Sequence, residues 1–236
     1  MYKVLITSSG TGSRLGELTK EKNKALVEIK GKSVISYILE SYDKKTPFVI
    51  TVGYKADGVK DYLQKNYSEL NIEIVEVDNF EGQGSSLGYS MLKARGSLQC
   101  PFIFNCNDTI VTGSLPSPET RNWNGGYKPT AEEISNIANQ YSSFAVSEGR
   151  VKYIDPKGNF KPGNALHIGL VGIKDYVTFW MALNKSYASN PNDASLNDCI
   201  AINKMIDLDK VFDVAYFSQW YDTGNLSSLE RTNNAL

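Results

Sequence analysis

One arginine and one lysine stand where their chemistry suits phosphate. Arg14 closes the run Ser8-Ser9-Gly10-Thr11-Gly12-Ser13, which follows the apolar triplet Val4-Leu5-Ile6, and Lys24 comes ten residues later in Asn23-Lys24-Ala25-Leu26. Glycine and serine let a backbone approach a ligand closely, and successive N–H groups in such a turn converge on phosphate oxygens. The guanidinium of Arg14 adds a planar, permanently charged fork for the same oxygens. The pattern reads as a loop that holds a triphosphate.

A dinucleotide-binding loop, G-x-G-x-x-G, is the nearest competitor. Gly10 and Gly12 fit it, but the third place holds Leu15, with Gly16 one residue late. The acid that such a loop needs for the ribose, at the end of a second strand, is missing, and Glu40 falls within a helical pattern. A bare glycine pair also suits an ordinary strand-to-helix turn. The distinguishing feature is G-x-G-x-R followed by K-x-L.

That combination resembles the signature of the sugar-1-phosphate and phosphocholine nucleotidyltransferase superfamily, L-A-A-G-x-G-x-R-L followed by P-K-x-L. Here Thr7 and Ser8 replace two alanines and Asn23 replaces the proline. The resemblance implies that Thr7, Ser8, Ser9, Gly10, Thr11, Gly12 and Ser13 contact the nucleotide, with Arg14 and Lys24 catalytic. It also gives Asp108, in Asn105-Cys106-Asn107-Asp108-Thr109, a role that spacing alone would leave to a helix cap or turn. The superfamily places a metal-binding aspartate at this point. The segment Gln219-Trp220-Tyr221-Asp222-Thr223-Gly224-Asn225 is similar to its W-x-D-T-G-T, whose aspartate joins the first on the metal. Alone, D-T-G is a good turn. Hard carboxylate oxygens at Asp108 and Asp222 suit Mg²⁺, which shares phosphate ligands and keeps waters.

These residues need a scaffold, and the chain alternates strand and helix patterns. Ser33 caps a helix with Val34, Ile35, Ile38, Leu39 and Tyr42 on one face; 48–52 reads as a buried strand, 57–67 as a helix, 72–77 as a strand, 85–94 as a helix and 101–104 as a central strand. The βαβα rhythm predicts an α/β fold, a Rossmann-like three-layer αβα sandwich around a mostly parallel mixed sheet, GT-A-like in the superfamily's terms. Ligands in such sheets bind beyond the carboxyl ends of strands. One domain over 1–236 is expected, with a nucleotide-binding half at 1–110 and an acceptor-binding half at 111–236. The chain ends at Leu236, soon after the second aspartate, so no C-terminal β-helix of the kind some relatives carry is expected.

Asn79, Gln83, Gly84 and Ser85 lie where relatives pass beside the base. An amide offers both donor and acceptor, which suits cytosine or uracil; turn and surface roles explain Asn79 and Gln83 equally well. Residues 112–130 read as a long polar loop, with Trp123 and Tyr127 either covering an acceptor or pinning the loop. Strands are expected at 143–146, 151–154 and 165–173. Phe160-Lys161-Pro162 is similar to the E-K-P of relatives, so Lys161 joins Trp123 and Asn164 as acceptor candidates. His167, the only histidine, reads as a packed, hydrogen-bonded residue of an apolar strand.

The composition agrees with an ordinary globule: 41% apolar, 22% charged, net charge −1. A near-neutral chain has no broad basic field for nucleic acid. It shows no long apolar run and no signal-peptide core, so no membrane partner is expected. Cys100, Cys106 and Cys199 form no C-x-x-C and suggest free thiols in a cytoplasmic protein. The expected function is Mg²⁺-dependent transfer of a nucleotide, CTP favoured, onto a small phosphorylated acceptor with release of pyrophosphate. The resemblance implies a small bacterial enzyme of capsule or surface polysaccharide pathways. The acceptor is a sugar 1-phosphate or a non-sugar phosphate such as phosphocholine or a phosphorylated amino-acid amide. A homodimer is compatible with the aromatic residues Trp180 and Tyr187. A nucleotide-sugar-dependent glycosyltransferase and a non-catalytic nucleotide-binding module are the alternatives.

Overall fold

In the computed structural model, which describes residues 1–236, the triplet Val4-Leu5-Ile6 lies in strand β1 (Lys3–Ser8). A small hairpin, β2 (Glu28–Ile29) and β3 (Lys32–Ser33), precedes helix α1 (Val34–Glu40). Then come β4 (Phe48–Val52), α2 (Ala56–Asn66), β5 (Ile72–Glu76), α3 (Leu87–Lys93), β6 (Phe102–Cys106) and β7 (Thr109–Val111). The second half holds β8 (Asn122–Tyr127), α4 (Ala131–Asn136), β9 (Ser143–Ser147), β10 (Arg150–Asp155) and β11 (Ala165–Ile173). It ends with α5 (Tyr176–Ser189), α6 (Asp198–Ile206), β12 (Phe212–Tyr216), β13 (Trp220–Asp222) and α7 (Leu226–Ala235).

Nine strands form one sheet in the order β5-β4-β1-β6-β11-β8-β12-β10-β9. The first four run parallel, and β11 joins β6 antiparallel. The mixed character therefore enters with the second half. The period of two along a strand sends alternate residues to opposite faces. Val4 and Ile6 pack with Val34, Ile38, Val59 and Leu63 on one face, while Leu5 packs with Met91, Phe179, Leu183 and Ile202 on the other. Helices thus cover both faces, giving the three layers of the sandwich.

The chain leaves β1 for β4 on one side and then crosses from β5 back to β6 on the other side of β1. Chains diverging from such a point open a crevice at the strand ends. The loop after β1 and the turn after β6 both stand at this edge.

Residues 112–130 are not a continuous loop. Asn122–Tyr127 is a sheet strand paired antiparallel with β11 and parallel with β12. The sequence hid it because Gly125 and Gly126 read as breakers; here they admit close neighbours. A Cβ on Gly125 would lie 2.6 Å from the carbonyl oxygen of Leu170, and one on Gly126 would lie 2.7 Å from the Phe144 ring. Trp123 is accordingly a core residue, 1% exposed, not an acceptor contact. It sits opposite Gly172 of β11, where a Cβ would be 2.0 Å from its indole nitrogen.

No helix is long and apolar enough to cross a membrane.

Candidate active site

The turn from Ser9 to Arg14 leaves the end of β1 and is shaped by Gly12, whose φ of 68° lies in the left-handed region. A Cβ there would lie 3.0 Å from that of Lys24, so glycine lets the lysine segment close over the loop. Asn23 fixes that segment. Its buried amide donates to the carbonyls of Ser8 at 2.8 Å and Tyr54 at 2.6 Å, while its oxygen accepts from the Ala25 N–H at 2.9 Å. The residue standing at the proline position is a three-way clamp.

Asp108 projects from the turn between β6 and β7. The antiparallel pair β7–β13 sets Asp222 opposite Thr109, and the Thr223 N–H donates to the Asp108 carbonyl at 2.9 Å. Two segments more than a hundred residues apart in the chain thus present their carboxylates side by side. Asp108 Oδ2 lies 3.3 Å from Lys24 Nζ and 3.7 Å from Arg14 Nη2. Gly224 sits between them all. A Cβ at this position would be 3.1 Å from Asp108 Oδ2, 3.1 Å from Asp222 Oδ1 and 3.2 Å from Arg14 Nη2.

The two acids differ electrostatically. Burial opposes the charge on Asp108, but the neighbouring Lys24, the Cys106 thiol and Arg14 outweigh it and hold its pKa at about 2. Asp222 goes the other way: burial, and then the charge of Asp108, raise it above the usual carboxylate value. Tyr141 donates to Asp222 Oδ2 at 2.8 Å, and its ring stands edge-on to Trp220, with centroids 4.9 Å apart. Sequence reasoning passed over Tyr141, because nothing local marks a tyrosine 81 residues from its partner.

A cavity of about 580 Å³ joins these groups. Thr7, Ser9, Gly10, Thr11, Gly12, Ser13, Arg14, Lys24, Ser85, Asp108 and Asp222 line it, as do Phe80, Tyr141, Lys157 and His167. Other sequence candidates lie elsewhere. The Ser8 hydroxyl is buried against the Thr51 carbonyl at 2.8 Å, so only its backbone serves the loop. The Asn79 amide donates to the Gln83 carbonyl at 3.0 Å, closing a turn that Gly84 completes; these three do not line the cavity. Lys161 pairs with Asp155 at 2.8 Å, and Asn164 is buried with its amide shared between Ser143 and Asp155. Neither reaches the cavity. Besides Lys24, the lysine that lines the cavity is Lys157, which the sequence showed only as a neighbour of Lys161.

The site so built is a crevice at the strand ends of an α/β sheet, in which a small-residue loop, two cations and two carboxylates converge. Residues 3–110 match the family model described as nucleotidyl transferase. The chain is 24% identical over 236 residues to the bifunctional protein GlmU of Methanococcus maripaludis, covering 98% of this chain and 53% of that one. It spans about half the length of the curated relatives it matches along most of its own sequence. It is 34% identical over 71 residues to glucose-1-phosphate cytidylyltransferase of Salmonella typhimurium, 29% of this chain and 28% of that one. The fold is similar to that of CTP:phosphocholine cytidylyltransferase from Streptococcus pneumoniae, with TM-score 0.78, 19% identity, and coverage of 99% of this chain and 98% of that one. The similarity to nucleotidyltransferases thus runs through the family model over residues 3–110 and, in fold, along nearly the whole chain.

Proposed function

We propose that this chain transfers a nucleoside monophosphate from a nucleoside triphosphate to a small phosphorylated acceptor, releasing pyrophosphate. The carrying observation is the meeting of Lys24, Arg14, Asp108 and Asp222 at one point of a cavity floored by the Ser9–Arg14 loop. CTP is the favoured donor. The matches to a glucose-1-phosphate cytidylyltransferase and a CTP:phosphocholine cytidylyltransferase support it. The product would be an activated precursor for capsule or surface polysaccharide, made in the cytoplasm from a sugar 1-phosphate or a non-sugar phosphate.

The acceptor's phosphate oxygen attacks the α-phosphorus; the new P–O bond forms as the bond to the β-phosphate oxygen breaks, and pyrophosphate departs with that electron pair. A phosphate monoester is already ionised at neutral pH and needs no general base. The barrier lies in bringing anions together, so positioning and charge dominate. Arg14 and the loop amides hold the β- and γ-phosphates, and Lys24 bridges nucleotide and acceptor phosphates. Asp108 and Asp222 fit Mg²⁺: two hard carboxylates face each other across Gly224, and burial, then the charge of Asp108, raises Asp222 above the usual carboxylate value. Bound there, Mg²⁺ would neutralise charge on the reacting phosphates.

Calorimetric titration with CTP, UTP, GTP, ATP and dTTP, with and without Mg²⁺, tests this reading. One tight, metal-dependent triphosphate that weakens in Asp108→Asn is expected, with pyrophosphate released once an acceptor is supplied. A folded protein that binds none of them overturns it. Glycosyl transfer from a nucleotide sugar would release no pyrophosphate and gives Lys24 no role.

A further inference from the structure

The wall of the cavity formed by β11 and α6 carries a second cluster unlike the first. His167 on β11 meets Asp198 and Cys199, which open α6 behind its cap Asn197. The imidazole, carboxylate and thiol each bring one atom to within 4.8 Å of the others. All three residues are buried, His167 at 9%, Asp198 at 3% and Cys199 at 8% exposure, yet all three line the cavity.

Their arrangement is poorly satisfied as a hydrogen-bond network. The His167 Nδ1 lies 3.0 Å from Asn124 Oδ1, an oxygen that can only accept, so Nδ1 carries hydrogen and Nε2 faces the cluster. Nε2 is 2.9 Å from Asp198 Oδ2, an ion pair when the imidazole carries both protons, but the contact is out of hydrogen-bonding alignment and that buried oxygen has no hydrogen bond. A buried carboxylate oxygen held by this one contact is only partly satisfied.

We propose that His167, Asp198 and Cys199 form a binding site for a divalent transition-metal ion of the zinc type, with its fourth position facing the cavity. Imidazole nitrogen, thiolate and a single carboxylate oxygen are a ligand set for such an ion, whereas thiolate disfavours Mg²⁺. Metal–ligand bonds of the usual lengths place tetrahedral ligand atoms about 3.3 to 3.7 Å apart. The existing cluster therefore needs only to open the imidazole–carboxylate contact slightly and draw in the thiol. Binding replaces the protons on the Cys199 thiol and His167 Nε2 with the metal and releases them to solvent. Asn124 is a positioning residue: it fixes the tautomer that presents Nε2. Water or a lone-pair atom of a cavity ligand completes the shell. The site shares the cavity but no residue with the Asp108–Asp222 pair, and its failure would leave the nucleotidyl-transfer reading untouched.

Titration of the chelator-stripped full chain with Co²⁺, followed by absorption, tests it. The expected result is one ion bound with a thiolate-to-cobalt charge-transfer band that Zn²⁺ displaces. Asp108→Asn should keep the band, Cys199→Ser should abolish it, and Asn124→Ala should weaken binding ~10- to 100-fold. Absence of the band in the wild type, or its survival in Cys199→Ser, overturns the proposal. Should Cys199→Ser not fold, alkylation of the wild type decides: Zn²⁺ must protect Cys199, and equal labelling with and without Zn²⁺ refutes the site.

Discussion

The Tyr141 hydroxyl donates a hydrogen bond to Asp222 Oδ2 at 2.8 Å. Burial and then the Asp222 charge push the phenol well above its ordinary pKa, so it remains a donor throughout the working range. Tyr141 therefore favours the ionised form of a carboxylate that burial and Asp108 both discourage. Tyr141→Phe removes a charge-assisted bond worth about 1.5 to 3 kcal/mol. We expect turnover to fall ~10-fold or more, and the acid limb of the pH–rate profile to move to higher pH. An unmoved limb would mean that Tyr141 only packs.

Lys24 and Asp108 form the closest opposite-charge contact of the site, at 3.3 Å. Lys24→Ala or Asp108→Asn should each lower turnover at least ~100-fold, the scale of losing one preorganised electrostatic group. Pyrophosphate release under saturating substrates checks this; near-normal turnover in either variant would remove that residue from its role.

The two acids have opposite effects on stability. Asp108, lowered to about 2, contributes stability that is present above its ordinary value of 3.8 and is lost as pH falls through about 2. That contribution is roughly 2 kcal/mol. Asp222 is raised, so its cost to the fold sets in as pH rises through the ordinary value of 3.8 and is complete above its raised folded value. In thermal melts at pH 7 with chelator, Asp222→Asn should melt higher than wild type and Asp108→Asn lower. The advantage of Asp222→Asn should fade as pH falls below the folded pKa of the aspartate. The reverse order of melting temperatures would contradict the assigned electrostatics.

Gly224 has no positive φ, so alanine meets no backbone penalty there. Its Cβ would nonetheless crowd two carboxylate oxygens and Arg14 at 3.1 to 3.2 Å. Gly224→Ala is expected to cost ~100-fold in turnover by misplacing reacting groups, with thermal stability nearly unchanged. Metal-dependent triphosphate binding, measured beside a melt, separates this from simple unfolding.

Asn23, itself fully buried, makes three hydrogen bonds, two of them buried and one part-buried. Asn23→Ala leaves two carbonyls and one N–H without their partner and should destabilise by about 2 to 3 kcal/mol. Chemical denaturation measures the loss. A change below ~0.5 kcal/mol would show that water replaces the amide.

Much of the fold was legible because its cause is local. Apolar runs at 4–6, 48–52 and 102–104 had to be buried strands, and the cap at Ser33 and the periodic face after it had to be a helix. The small-residue turn after β1 was legible for the same reason, since its glycines and serines shape their own backbone. The strand at Asn122–Tyr127 was not, because its glycines look like loop residues until the close neighbours on β11 and β12 are known. That neighbourhood moved Trp123 from a presumed acceptor contact into the core.

What the sequence determined by itself was the loop, its two cations and the run of elements that carries them. The resemblance had already paired Asp222 with Asp108; only the tertiary structure decided that Tyr141 meets Asp222 and that His167 meets Asp198 and Cys199. Covalent neighbours fix backbone conformation, but the meeting of side chains across long stretches of chain follows from strand order and register. Those are set by the packing of the whole sheet.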